Sequence, residues 1–360
     1  MSSREYLDPE VEQRLDRYID TLGDPSSSLP DSIRVIDTEF TTDDLGMKIV
    51  FSARREEGRV KVATFETGSF LDNGGVKDAT DRHDICISTA AGCTRACEFC
   101  AVPTAALGFE RLLTAEEIAI QTLYAISERN QQGTIPNVVG LMGNGEPPDN
   151  IAVIPAVKYL SQRPELGIQG ILFSTIGEAV SNIGKMATSF SALDMEIVMQ
   201  FSLHAADEEK RRIIIPVPSR RPLDSIMEAV DLYGEKTGDP VKFNVVLMNG
   251  VDRFGDFTNA DTKDAELLAE LLQSPSSVSG RPIKRRLKLS AFNSIPGIPF
   301  VAPPEDVVEA FVATLAEQGI TDIQRFEGSG RDIDDQKTTG GFACGQLRAT
   351  TNNALTRVND

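Results

Sequence analysis

Three thiols fall within eight residues, Cys93-Thr94-Arg95-Ala96-Cys97-Glu98-Phe99-Cys100, with Gly92 directly in front. The whole 360-residue chain has five cysteines, an odd number, so this clustering marks a ligand set and not a disulfide framework. Thiolate is a soft ligand, which leaves an iron-sulfur cluster or zinc as candidates. Structural zinc typically draws on two C-x2-C pairs or on Cys/His mixtures, and the loop offers neither. The reading is therefore a [4Fe-4S] cluster held by Cys93, Cys97 and Cys100, with one iron open to a small molecule. Phe99 is placed either to shield that cluster or to pack in the core.

Around this loop the chain reads as two textures. Residues 1–80 open with a helical repeat of Tyr6, Val11, Leu15, Ile19 and Leu22, followed by strand-like runs at 33–40, 47–53 and 59–65 separated by polar turns. That is a small N-terminal accessory unit of helix plus β-meander, in which no grouping carries chemistry. Residues 81–330 alternate short apolar strands, at 84–88, 137–142, 170–174, 196–203, 241–247 and 286–292, with helical stretches such as 114–130 and 222–233. Six strand-helix units predict an α/β fold, a partial (β/α)6 barrel with parallel strands and ligands at their carboxyl ends. The chemically loaded stretches fall there: the cysteine loop after the first strand, Gly143-Asn144-Gly145-Glu146-Pro147 after the second, Ser174 closing the third, and Ser202-Leu203-His204 closing the fourth. Residues 331–360 form a C-terminal segment that carries Cys344.

The longest apolar runs are far too short to span a bilayer and no apolar stretch follows Met1, so a cytoplasmic protein without membrane contact is expected. The formal net charge is -18, the wrong sign for gripping nucleic acid by bulk electrostatics. The local basic runs, Arg281 with Lys284 to Lys288, Arg211-Arg212 and Arg220-Arg221, read as solvated element ends.

Cys-x3-Cys-x-Phe-Cys after a first strand resembles the radical S-adenosylmethionine (SAM) superfamily. The glycine-rich turn at Gly145 and Glu146 is similar to that superfamily's Gly-Glu motif, which contacts the SAM amino group. Phe201-Ser202-Leu203-His204-Ala205 is similar to the "SLHA" stretch of the RlmN/Cfr subgroup of RNA methyltransferases. Cys86, in Cys-Ile-Ser-Thr-Ala-Ala-Gly-Cys, and Cys344, in Ala-Cys-Gly-Gln-Leu, also resemble stretches of that subgroup. The likeness spans roughly residues 84–350 and leaves no cysteine unassigned.

The resemblance implies a radical SAM partial barrel and a mechanism. An unactivated sp2 carbon is too poor a nucleophile to take a methyl group by displacement. In the family two SAM molecules serve each turnover: one methylates the acceptor thiolate, here Cys344, and a second is cleaved to a 5'-deoxyadenosyl radical that abstracts hydrogen from the new thioether methyl. The carbon radical adds to the ring, the protein-substrate adduct loses an electron and a proton, and the other thiol, here Cys86, resolves it by forming a disulfide with Cys344. By the same carry-over Gly145, Glu146, Ser174, Ser202, Leu203, His204 and Asn293 hold SAM, and a flavodoxin or ferredoxin supplies electrons.

The chain departs from the family pattern in three places. Only about 80 residues precede the core; the family's Arg-Val-Glu stretch, which supplies a carboxylate near the substrate, has its nearest match in Arg59-Val60-Lys61; and extra residues lie between Asp334 and Ala343. With the acidic charge, these departures point to a heteroaromatic small molecule or nucleotide as substrate. The alternatives are an adenosine in ribosomal or transfer RNA, and a cluster-binding redox protein without methyl transfer.

Overall fold

The computed structural model describes residues 6–22, 29–40, 46–57, 59–71, 83–104, 108–133, 136–217, 221–294 and 297–325. Within them, one sheet takes ten strands in chain order: β1 (Ile33–Phe40), β2 (Gly46–Glu57), β3 (Arg59–Leu71), β4 (His83–Cys86), β5 (Val138–Leu141), β6 (Gly170–Thr175), β7 (Glu196–Ser202), β8 (Val241–Leu247), β9 (Arg285–Ala291) and β10 (Ile323–Arg325). From β1 to β4 neighbours run antiparallel. From β4 onward every neighbouring pair is parallel. The six expected parallel strands are thus present as β4 to β9, with β10 added at the far edge. The expected meander of β1 to β3 continues the same sheet through the β3–β4 pairing.

Parallel neighbours require crossovers, and helices supply them. The main helices are α1 (Pro9–Asp20), which precedes the sheet, and in the crossovers α2 (Ala115–Gln131), α3 (Val153–Ser161), α4 (Val180–Phe190), α5 (Glu208–Ile214), α6 (Leu223–Thr237), α7 (Thr262–Gln273) and α8 (Glu305–Glu317). The α2 helix starts where a capping box dictates: the Thr114 hydroxyl accepts from Glu117 N–H, and the Glu117 carboxylate accepts from Thr114 N–H.

Alternation along each strand separates two faces. Ile171 and Phe173 of β6, Ile197, Met199 and Phe201 of β7, and Phe243 and Val245 of β8 join the main apolar core with residues of every helix except α5. Phe173 meets Tyr233 of α6 edge-on at 5.3 Å. On the opposite face stand small or polar residues, Glu66, Cys86, Ser88, Gly140, Ser174, Gln200, Ser202 and Asn244, together with the apolar Leu172, Val198 and Val246. The helix side holds the fold, and the inner face is free for chemistry.

One buried ion pair fixes a crossover. Arg285, at the start of β9, grips Asp231 of α6 with both ends 1% exposed and Nη2 2.8 Å and 3.0 Å from the two carboxylate oxygens. Removing one partner of such a pair strands a buried charge and costs about 3–5 kcal/mol. Among the described residues no helix is long and apolar enough to cross a membrane.

Candidate active site

The carboxyl ends of β4, β5, β6 and β7 converge on the cysteine loop. Gly92 admits the chain into that loop with φ +79°, and a Cβ there would lie 1.8 Å from the Gly108 carbonyl oxygen. Only glycine fits such a position. Within the loop the Cys93 sulfur accepts from Arg95 N–H at 3.4 Å, and Cys100 N–H donates to the Cys97 carbonyl at 3.2 Å. None of these thiols is in a disulfide. Burial pushes the Cys93 thiol up to about 12, against the help of Arg95 N–H, and drives Cys97 well above its ordinary range. Cys93 and Cys97 also feel the charge of their neighbouring thiols, so both resist becoming free thiolates. A metal group that takes the thiolates removes that penalty. Among the described residues no three His, Cys, Asp or Glu side chains close on a single ion position. A cubane instead takes each thiolate on its own iron, and three thiols on one loop suit it.

The turn after β5 carries Glu146 into a buried position, 7% exposed. Gly145 makes this possible: its φ is +102°, and a Cβ would press on Thr89 and Ala90 at 2.7–2.9 Å. The Glu146 carboxylate accepts from the Thr175 hydroxyl and from Ile176 N–H at 3.1 Å. Burial lifts its pKa to about 7, with the Thr175 hydrogen bond opposing the rise. Among the described residues no lysine or arginine pairs with it. Arg95, the nearby cation, is held instead by a two-pronged bond to Asp149 that ties the cysteine loop to the Glu146 turn. A buried carboxylate in that state suits a ligand ammonium group, as SAM carries.

Ser174 and Ser202, from neighbouring strands, meet at 3.0 Å, with Gln200 Nε2 donating to Ser174 at 3.2 Å. Leu203 turns its side chain fully into the core, so it faces the site by backbone alone. His204 takes the left-handed φ of 59°, and its Nδ1 accepts from Val246 N–H at 3.3 Å. The imidazole stands edge-on to Phe99 at 4.6 Å, which places Phe99 between cluster loop and strand end. Burial, then the Arg211 charge, pulls His204 down to about 3, so the ring is neutral. Asn293 lies just past β9 and is exposed.

Cys86 is buried on the inner face of β4, its register partners being Gly68 on β3 and Gly140 on β5. Cys344 lies outside the described residues, as does the whole C-terminal segment.

Residues missed at the sequence level sit around Cys86. Glu66 of β3 is 1% exposed and accepts from Asn144 Nδ2 at 3.2 Å, while its carbonyl accepts from the Ser88 hydroxyl at 2.6 Å. A carboxylate thus reaches the site from β3, five positions beyond Lys61. Lys48 of β2, also 1% exposed, pairs in register with Gly68, in the same cross-strand row as Cys86. The signal was the alternation of polar Thr64 and Glu66 with apolar Ala63 and Phe65, legible once β3 is known to flank β4.

A cluster-binding loop, a buried carboxylate for an ammonium group, and an inner-face thiol on a parallel sheet together define the radical SAM class. The radical SAM superfamily model matches residues 87–254. A Thermus thermophilus protein named "Probable dual-specificity RNA methyltransferase RlmN" is 37% identical over 74% of this chain and 68% of its own length. A Halalkalibacterium halodurans protein of the same name is 31% identical over 86% and 78%. The crystal structure of a radical SAM methyltransferase from Sphaerobacter thermophilus superposes with a TM-score of 0.73 at 25% identity, covering 97% of this chain and 99% of that one. The chain belongs to the RlmN/Cfr-like family of radical SAM methyltransferases, whose chemistry uses SAM and a [4Fe-4S] cluster.

Proposed function

We propose that this methyltransferase transfers a methyl group to an sp2 carbon of adenosine in RNA, through Cys344 as carrier and Cys86 as resolving thiol, with two SAM molecules per turnover. The observation that carries the reading is the placement of Cys86. It sits on the inner face of β4, one strand from the turn that bears Glu146 and seven residues before Cys93. A structural cysteine would pack equally well on the helix side, where Ile85 and Ile87 lie. The RNA substrate is supported by the names of the relatives, matched over 68% and 78% of their length.

When bound, the cluster and SAM supply the deoxyadenosyl radical and the methyl group. The chain's own residues do the rest. Cys93, Cys97 and Cys100 hold the irons, Glu146 takes the SAM ammonium, and Ser174, Ser202, the Leu203–His204 backbone and Asn293 line the remainder. Neutral His204 offers a ring without charge. Glu66 faces the substrate side of Cys86, in the place of the carboxylate sought near Lys61. Once the ring adduct has given up one electron to the redox partner and the ring hydrogen as a proton, Cys86 as thiolate forms the S–S bond to Cys344 while the bond from Cys344 sulfur to the substrate methylene breaks. The electron pair passes to carbon, which takes up a proton to become the methyl. The disulfide then needs a dithiol reductant, and the radical step an electron donor such as flavodoxin or ferredoxin.

A second reading, a small heteroaromatic molecule or nucleotide, is favoured by the net charge of -18. One experiment separates the two. Cys86→Ala protein, isolated with an intact cluster from cells, is digested and its Cys344 peptide analysed by mass spectrometry. An RNA fragment joined through a methylene to Cys344 supports the proposal, and a small-molecule adduct replaces its substrate. A bare Cys344 peptide, without methyl or adduct, refutes the thiol shuttle.

A further inference from the structure

The α5 helix is the one named helix that stays out of the main core. It spans only seven residues, Glu208–Ile214, yet carries a fully buried arginine. Arg211 Nε donates to the Leu203 carbonyl at 3.1 Å, and Nη2 to the carbonyls of Ile176 at 2.8 Å and Ser202 at 3.4 Å. Its guanidinium also lies over the Phe201 ring, 5.5 Å from the centroid. Those three carbonyls belong to the ends of β6 and β7, where parallel strands stop and their acceptors need partners.

The same helix reaches the cysteine loop. The Ile214 carbonyl accepts from Glu98 N–H at 3.0 Å, beside Cys97. Ile214 and Ile215 pack with Cys97 and Ile176 in a small apolar cluster at the strand ends. Ile176 in turn donates its N–H to the Glu146 carboxylate. One side chain and one carbonyl of α5 therefore join the loop that holds the irons to the strand ends that line the SAM position.

We infer that Arg211 is a positioning residue that locks the strand ends at Ile176, Ser202 and Leu203 in register with the cysteine loop, and that its fixed charge, one residue removed from Cys97 through Ile176, whose carbonyl it holds, raises the reduction potential of the cluster. This rests on the reading that Cys93, Cys97 and Cys100 hold the cluster and Glu146 the SAM ammonium. The two roles come from different properties of one group. Geometry comes from the planar fork, which reaches three carbonyls at once and which an ammonium cannot reproduce. Potential comes from the charge, because a nearby cation stabilises the state with one more electron.

Two variants separate them. Arg211→Lys keeps the charge and loses the fork; Arg211→Gln loses the charge and keeps an amide donor. Both are reconstituted anaerobically alongside the unaltered protein, iron content is measured, SAM affinity is read by calorimetry, and the cluster midpoint potential by redox titration followed by electron paramagnetic resonance. Both variants should bind SAM about tenfold more weakly, the equivalent of one lost hydrogen bond. The potential should fall in Arg211→Gln and stay at the unaltered value in Arg211→Lys. Unchanged SAM affinity in both variants overturns the positioning role, and an equal potential in all three proteins overturns the electrostatic one. If the unaltered protein itself takes up no cluster or binds no SAM, the site reading has failed and not this inference. If Arg211→Gln does not fold, Arg211→Lys alone decides the positioning role, and a potential in Arg211→Lys below the unaltered value overturns the electrostatic one.

Discussion

Glu146 is the residue whose protonation state is set most visibly by its surroundings. Burial raises its carboxyl to about 7 and Asp149 adds to the rise, while Thr175, Arg95 and Ile176 N–H hold it back. An ammonium ligand binds the carboxylate form, so the sign follows directly. Above about pH 7 the unliganded site is already ionised and SAM affinity is level until the ligand's own amino group loses its proton near pH 8. Below it the ligand must displace a proton, and affinity falls as pH drops, approaching tenfold per pH unit. Calorimetry of SAM binding from pH 5.5 to 8.5 in buffers of different ionisation enthalpy reads both the slope and the released proton. Glu146→Gln should weaken binding at pH 8 by about 1.5–3 kcal/mol, as loss of a charge-assisted hydrogen bond does, and abolish the slope. A slope that persists in the variant would assign the proton to another group.

At the scale of an element, the cysteine loop depends on Gly92 more than on any polar contact. A Cβ at that position collides with the backbone of Gly108, which no side-chain rotation relieves. Gly92→Ala should therefore misplace Cys93 and cut iron and sulfide content after reconstitution to a small fraction of the unaltered value, while the far-ultraviolet circular dichroism is kept. Full cluster loading in Gly92→Ala would show that the loop tolerates another path. The placement of this loop, the Gly-Asn-Gly-Glu turn and the Ser-Leu-His stretch at strand ends was legible in the sequence because each is a local pattern whose residues follow one another. The parallel order of β4 to β9 was legible too, since alternating strand and helix patterns leave few alternatives. Glu66, Lys48 and Arg211 were not, because each reaches the site only through pairing or packing of elements outside those stretches. Arg211-Arg212 read as a solvated charge run. Arg212 is indeed exposed, whereas Arg211, one residue earlier on a helix, is fully buried beneath it. The meander likewise read as chemically empty because nothing in residues 46–71 says that β3 will lie beside Cys86.

At the scale of the whole molecule, the proposed RNA substrate and the charge of the chain pull in opposite directions, and the balance is measurable. The relatives point to RNA, yet the chain carries 54 acidic against 36 basic side chains. A protein that grips phosphates through lysines and arginines loses affinity steeply with salt, because it releases condensed counterions. Here the long-range field opposes encounter, while any phosphate contacts are short-ranged. The Debye length shrinks from about 30 Å at 0.01 M salt to about 8 Å at 0.15 M, so added salt removes the distant repulsion before it touches contacts at hydrogen-bond range. The association rate with an adenosine-containing RNA should therefore rise between 0.01 and 0.15 M monovalent salt, and the dissociation rate should rise too as phosphate contacts weaken. A basic RNA-binding protein shows the opposite trend in its association rate. Stopped-flow fluorescence with a labelled RNA measures both rates. An association rate that falls over this range would mean that a basic surface dominates the approach despite the net charge. Absence of any RNA binding across it would turn the search to a small heteroaromatic substrate, on which a net charge of this sign exerts far less long-range influence.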